Sequence, residues 1–152
     1  MRAQTFHALI EPRSRGGVAI RIPFDPAAEW GDRDRFYIAG TIEGRGVRGV
    51  LTDVDGVPYL LLGPTWCRDP EVAAGNEATV VLAPEGPQMD TVSSDIADAL
   101  DAEPKARRLF ESLATFYRKG FVDWIEDAKK PETRASRITE AVAALKDGRR
   151  ER

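Results

Sequence analysis

The 152 residues contain one histidine, His7, and one cysteine, Cys67. A cysteine with a histidine as its base makes a thiolate nucleophile, but that chemistry also needs a group that orients the imidazole and an oxyanion hole. No motif around either residue supplies these, so Cys67 beside Trp66 reads first as a small packed hydrophobe. A single histidine and a single cysteine cannot build a zinc cluster, and one cysteine excludes a disulfide framework. Gly44-Arg45-Gly46-Val47-Arg48-Gly49 spells G-x-G-x-x-G. It leads into Val50-Leu51-Thr52 and a hairpin turn, however, and not into a helix whose N-terminus could receive a pyrophosphate. It reads as a glycine-rich β-turn. Asp53-Val54-Asp55-Gly56 begins like a calcium loop, yet Pro64 stands at loop position twelve, where the pattern needs glutamate. No catalytic residue, no metal ligand and no cofactor is assigned.

The chemistry that remains is binding. Arg118, Lys119, Lys129, Arg134 and Arg137, with Lys130 nearby, gather around the junctions of the last helices the pattern predicts. Arg134 lies one turn before Ile138 and so faces the packed side, where its guanidinium can lie over Trp124 or pair with Glu126 or Asp127. The cluster reads in two ways. It holds a phosphate or carboxylate near a helix start, or it forms ion pairs that dock the helices on the acidic barrel. A second candidate set is the small-molecule pocket that His7, Arg21, Trp30, Tyr37, Trp66 and Cys67 would form at a barrel end, an aromatic rim with basic groups. Ordinary core packing of tryptophan accounts for the same residues equally well.

Elements must position these groups. The composition is 42% hydrophobic and 31% charged, enough apolar content for a core in a chain of single-domain size. Residues 1–103 carry 9 basic against 17 acidic side chains (net −8) and residues 104–152 carry 13 against 8 (net +5), which together make the formal −3. Period-two alternation predicts strands over Gln4 to Glu11, Val18 to Ile22, Arg35 to Glu43, Val47 to Thr52, Val57 to Gly63 and Glu77 to Ala83. Asp25-Pro26 predicts a capped short helix ending at Trp30. Beyond residue 90 the period changes. Ser93 or Ser94 caps a helix over Asp95 to Asp101, and Pro104 starts another. Phe121, Trp124, Ile125 and Ala128 form an amphipathic stripe after a break at Gly120. Pro131 opens a last helix that stops at Gly148. Six strands without long intervening helices, then three to four short helices, give an α+β fold: a small six-stranded β-barrel over residues 1–90, a helical extension over 91–148 packed on it, and a frayed tail over 149–152.

Ile38 to Leu51, the turn at Gly56, Tyr59-Leu60-Leu61-Leu62 and Gly75 to Leu82 resemble the bacterial DUF1905 barrel. Tyr117 to Lys129 followed by Pro131 to Ile138 resembles the YdeI/OmpD-associated, bacteriocin-protection family. The resemblance implies a double-split β-barrel with a helical extension and a basic cluster at Arg118, Lys119, Lys129, Arg134 and Arg137, and it implies no established reaction. It associates the chain with stress or bacteriocin tolerance. No stretch approaches the roughly 18 apolar residues of a membrane span, and His7, Glu11, Arg13 and Arg15 interrupt any signal-peptide core. The expectation is therefore a cytoplasmic, non-catalytic binding protein taking a small ligand or anion where barrel and helices meet, with membrane and nucleic-acid partners disfavoured. One alternative is an enzyme or ligand-remodelling protein working near Trp66 and Cys67. Another is a structural homodimer paired along a barrel edge.

Overall fold

The computed structural model describes residues 3–152, so the first two positions of the expected barrel segment lie outside the described residues. The chain divides into two compact units: a sheet unit running to Asp32 and resuming over Phe36–Pro84, and a helical unit of Arg33–Arg35 with Glu85–Arg152. The α+β character is as expected, an antiparallel sheet followed by helices.

Seven strands build the sheet: β1 Gln4–Pro12, β2 Val18–Arg21, β3 Tyr37–Ile42, β4 Arg45–Val50, β5 Thr52–Val54, β6 Val57–Leu62 and β7 Glu77–Pro84, with a short helix α1 Pro26–Trp30 between β2 and β3. Two expectations are corrected here. Six strands become seven because the segment read as one strand over Val47 to Thr52 changes partner at Leu51. Val50 still opposes Tyr37 on β3. The Leu51 N–H donates to the Phe36 carbonyl at 3.0 Å, and Thr52 then opposes Tyr59 on β6. The second correction concerns closure. The order β4-β3-β7-β1-β2-β6-β5 leaves β4 and β5 as edges, so the sheet is a curled half-barrel and not a closed barrel.

The glycine-rich segment is also resolved in detail. Only its first residue turns the chain: Glu43 (φ 49°) and Gly44 (φ 78°) join β3 to β4, the pair of positive φ values that a two-residue hairpin needs to match strand twist. Gly46 and Gly49 lie within β4. Asp25 Oδ1 accepts from the Ala27 N–H at 3.1 Å and so caps α1 as read from Asp25-Pro26. The inward positions of β1, β2, β3, β6 and β7 are buried. Ile10, Ile20, Ile38, Ile42, Leu60, Val80 and Leu82 are shut from solvent, each worth about 1.5–3 kcal/mol of burial.

The helical unit contains α2 Ser94–Asp101, α3 Pro104–Ser112, α4 Thr115–Glu126 and α5 Pro131–Lys146. Its core is Ile96, Leu100, Ala106, Phe110, Leu113, Phe121, Ile125, Ala141, Ala144 and Leu145. The break expected at Gly120 is absent, because α4 runs straight through it. One glycine weakens a helix interior without ending it, and Phe121 and Ile125 anchor the following turn in the core. Ser93 stands at the start of α2 but makes no cap bond with its side chain. Its hydroxyl donates instead to Glu126 Oε1 at 2.6 Å. No helix among the described residues is long and apolar enough to cross a membrane.

Candidate functional site

The five basic candidates have different surroundings. Arg118 is fully buried at 0% exposure. Its Nε donates to the Leu113 carbonyl (3.0 Å), its Nη1 to the Pro87 carbonyl (2.9 Å), and its Nη2 to the Glu111 carbonyl. Burial first, then the like charge of Arg33, pulls its pKa down to about 10, against the opposing pull of Glu111 and Glu85. A base held below its unfolded value favours unfolding while it is charged, and that cost eases as pH rises above about 10. Arg137 lies over Trp124, 5.2 Å from the ring centroid, and its Nη1 donates to the Trp124 carbonyl at 2.7 Å. Lys119 and Lys129 are exposed.

Arg134 does not lie over Trp124. It bridges two carboxylates: Nε and Nη2 donate to Asp95 (2.6 and 2.9 Å), Nη1 and Nη2 to Glu126 (2.8 and 3.0 Å). This fork ties the start of α2 and the end of α4 to α5. It raises the pKa of Arg134 and holds both carboxyls below their ordinary values, Glu126 with help from Ser93. Depressed carboxylates contribute stability above the ordinary range near pH 4 and lose it as pH falls through their folded values. Arg134→Ala is therefore expected to lower stability by about 0.5–1 kcal/mol at neutral pH, small because the carboxylates are well exposed and solvent-screened. The difference from the parent should disappear toward pH 2, as urea midpoints at a series of acidic pH values would show.

The six residues expected to line one barrel pocket have different surroundings. His7 and Arg21 line an open groove of about 580 Å³ with Ala8, Leu9, Glu11 and Pro23. The His7 Nδ1 lies 3.1 Å from Thr79 Oγ1. Trp30 is a core residue, edge-on to Phe24 at 5.1 Å and tilted against Phe36 at 6.4 Å. Tyr37 is half-buried at the start of β3. Trp66 packs on the sheet core, with the Arg45 guanidinium 4.1 Å from its ring centroid. Cys67 is exposed and its thiol donates to the Gly16 carbonyl at 3.1 Å. The thiol and the imidazole thus have separate partners. No group of three His, Cys, Asp or Glu side chains suited to a metal occurs among the described residues.

Two features were missed in the sequence. One is a buried network around Glu111, whose Oε2 accepts from Arg33 Nη2 at 2.8 Å while Oε1 accepts from Arg107 Nε. The four-residue spacing of Arg107 and Glu111 was a visible signal. The other is a cleft of about 320 Å³ lined by Phe116, Tyr117, Gly120 and Phe121 of α4 and by Arg150, Glu151 and Arg152. The segment expected to fray forms one wall. Gly148 (φ 83°) ends α5, and the Gly148 and Arg149 N–H groups bond back to the Leu145 and Ala144 carbonyls. The next residues then lie along α4, where the Arg150 guanidinium is 4.8 Å from the Tyr117 ring and that of Arg152 is 4.4 Å from Trp124. Their N–H groups donate to no acceptor among the described residues. Phe116, edge-on to Tyr117 at 5.2 Å, is 75% exposed.

Comparison with known families gives two matches in chain order. Residues 6–82 match the family described as Domain of unknown function (DUF1905), and residues 91–148 match that described as Bacteriocin-protection, YdeI or OmpD-Associated. No curated protein matches the chain.

Proposed function

We propose that this chain, which belongs to the DUF1905 family and carries a bacteriocin-protection, YdeI or OmpD-associated region, acts by binding a small organic anion and not by catalysis. Neither family description names a reaction, and the second connects the chain with bacteriocin protection. The observation that carries the reading is the contrast among arginines in the helical unit. Arg33, Arg107, Arg118 and Arg134 point their N–H groups at internal carboxylates and carbonyls. Arg150 and Arg152 rest on aromatic rings at the mouth of a cleft, with their donors unused among the described residues. A guanidinium preorganised on a ring face keeps its hydrogen-bonding edge for a carboxylate or phosphate.

In this reading the anion site lies at Arg150 and Arg152. Calorimetric titration at low salt with citrate, inorganic phosphate and 2-naphthoate tests it. At least one probe is expected to bind with an affinity that weakens as salt rises, and the Arg150→Ala/Arg152→Ala variant should bind it at least tenfold more weakly. No binding of any probe to the parent, or equal binding to the double variant, would refute the reading.

A further inference from the structure

Gly120 has no structural reason to be glycine. It lies in the interior of a twelve-residue helix, where glycine is among the weakest helix formers. Its φ is not among the positive values, and a Cβ built on it would meet nothing within 4 Å. Neither backbone conformation nor packing requires the missing side chain. What the omission does is open a slot. On one helix face Phe116, Gly120 and Trp124 follow at intervals of four, so their side chains would stack along one ridge. Gly120 is the gap in that ridge, and it forms part of the wall of the cleft, beside Phe116, Tyr117 and Phe121.

We infer that the cleft takes an aromatic carboxylate, its flat ring lying over the Gly120 backbone among Phe116, Tyr117 and Phe121 and its carboxylate held by Arg150 and Arg152. This deepens, and rests on, the anion-binding reading above. Three features select that class. The lining residues include the exposed Phe116 ring, edge-on to Tyr117, and aromatic side chains favour the face or edge of another ring over a flexible aliphatic chain. The volume, about 320 Å³, lies at the lower end of small-molecule sites and suits one or two fused rings. The side chains at the mouth are two guanidiniums, Arg150 and Arg152, beside the Glu151 carboxylate. A planar carboxylate also matches the planar guanidinium edge in two parallel hydrogen bonds.

The test is titration of the full chain with three probes: 2-naphthoate, octanoate and naphthalene-2-methanol. Binding of 2-naphthoate is expected to be at least tenfold tighter than that of octanoate, which lacks the ring, and of the methanol, which lacks the charge. Gly120→Leu fills the slot while improving helix propensity. This variant should unfold at the same or a higher urea concentration than the parent and bind 2-naphthoate at least tenfold more weakly. Equal binding of octanoate and 2-naphthoate would overturn the aromatic assignment and leave the anion-binding function standing, as would full 2-naphthoate affinity in Gly120→Leu. Failure of 2-naphthoate, octanoate, citrate and phosphate alike to bind the parent would overturn both.

Discussion

Glu111→Gln is expected to destabilise the helical unit by about 3–5 kcal/mol, the range for removing one charge of a buried ion pair. The Arg33 side chain is 1% exposed and that of Glu111 4%, with 2.8 Å between Nη2 and Oε2. Burial pulls the Arg33 pKa down while the Glu111 charge pulls it back up, so the carboxylate is what makes the buried cation tolerable. Arg107 binds the other carboxylate oxygen, and Arg118 donates to the Glu111 main-chain carbonyl. Three guanidiniums thus converge on one residue. Glutamine keeps the volume, removes the charge and turns an amide N–H₂ toward one of those donors. Arg107 retains Asp101, while the Arg33 side chain stays buried and loses the carboxylate it faces at 2.8 Å. Amide exchange across α3 and α4 should accelerate, because Glu111 lies in α3 and the carbonyls of Glu111 and Leu113 hold Arg118 of α4.

A second measurement separates the ion pair from the packing. Replacing both partners, Arg33→Met with Glu111→Leu, removes the charges together and is expected to cost far less than the sum of the single changes, since apolar replacements of buried pairs are often near neutral. A Glu111→Gln variant within about 1 kcal/mol of the parent would show that the network does not hold these helices.

Element positions were legible wherever period and punctuation agreed. Asp25-Pro26 marked α1, Asp55-Gly56 marked the β5–β6 hairpin, and Pro104, Pro131 and Gly148 marked helix ends. The strand break at Leu51 was hidden because Val47 to Thr52 is apolar enough to read continuously. The bend depends on a distant acceptor, the Phe36 carbonyl, which no local pattern encodes. Gly120 misled for a related reason: a glycine signals weakness in a helix, and tertiary anchoring at Phe121 and Ile125 decides whether the weakness becomes a break. The pattern offered Trp124, Glu126 or Asp127 as the partner of Arg134, and Glu126, eight positions away, is one it takes. It could not show that Asp95 completes the fork from 39 positions away, nor that Arg118 would be buried against carbonyls. The cleft was least legible, since its two walls are α4 and the three residues Arg150, Glu151 and Arg152, which composition alone describes as solvated.

In the sheet unit the largest effect is expected from adding one carbon, Gly40→Ala. Gly40 is in the middle of β3, opposite Val47 of β4 and Leu82 of β7. A Cβ there would fall 1.8 Å from the Val81 carbonyl oxygen, 2.8 Å from its carbon and 3.1 Å from Leu82 Cα. All three are backbone atoms of the neighbouring strand, so no rotamer change relieves the clash. Only separation of β3 from β7 does, and that breaks the ladder from Ile38–Pro84 to Ile42–Val80 over buried Ile38, Ile42, Val80 and Leu82. The expected loss exceeds about 4 kcal/mol, in the range reserved for overpacking and backbone strain. Gly46→Ala is the matched control, because its Cβ would meet nothing within 4 Å and surface changes of that kind stay within about 0.5 kcal/mol. Urea unfolding of both variants measures the contrast. Similar midpoints for the two would mean that β3 and β7 do not approach as closely as this backbone places them.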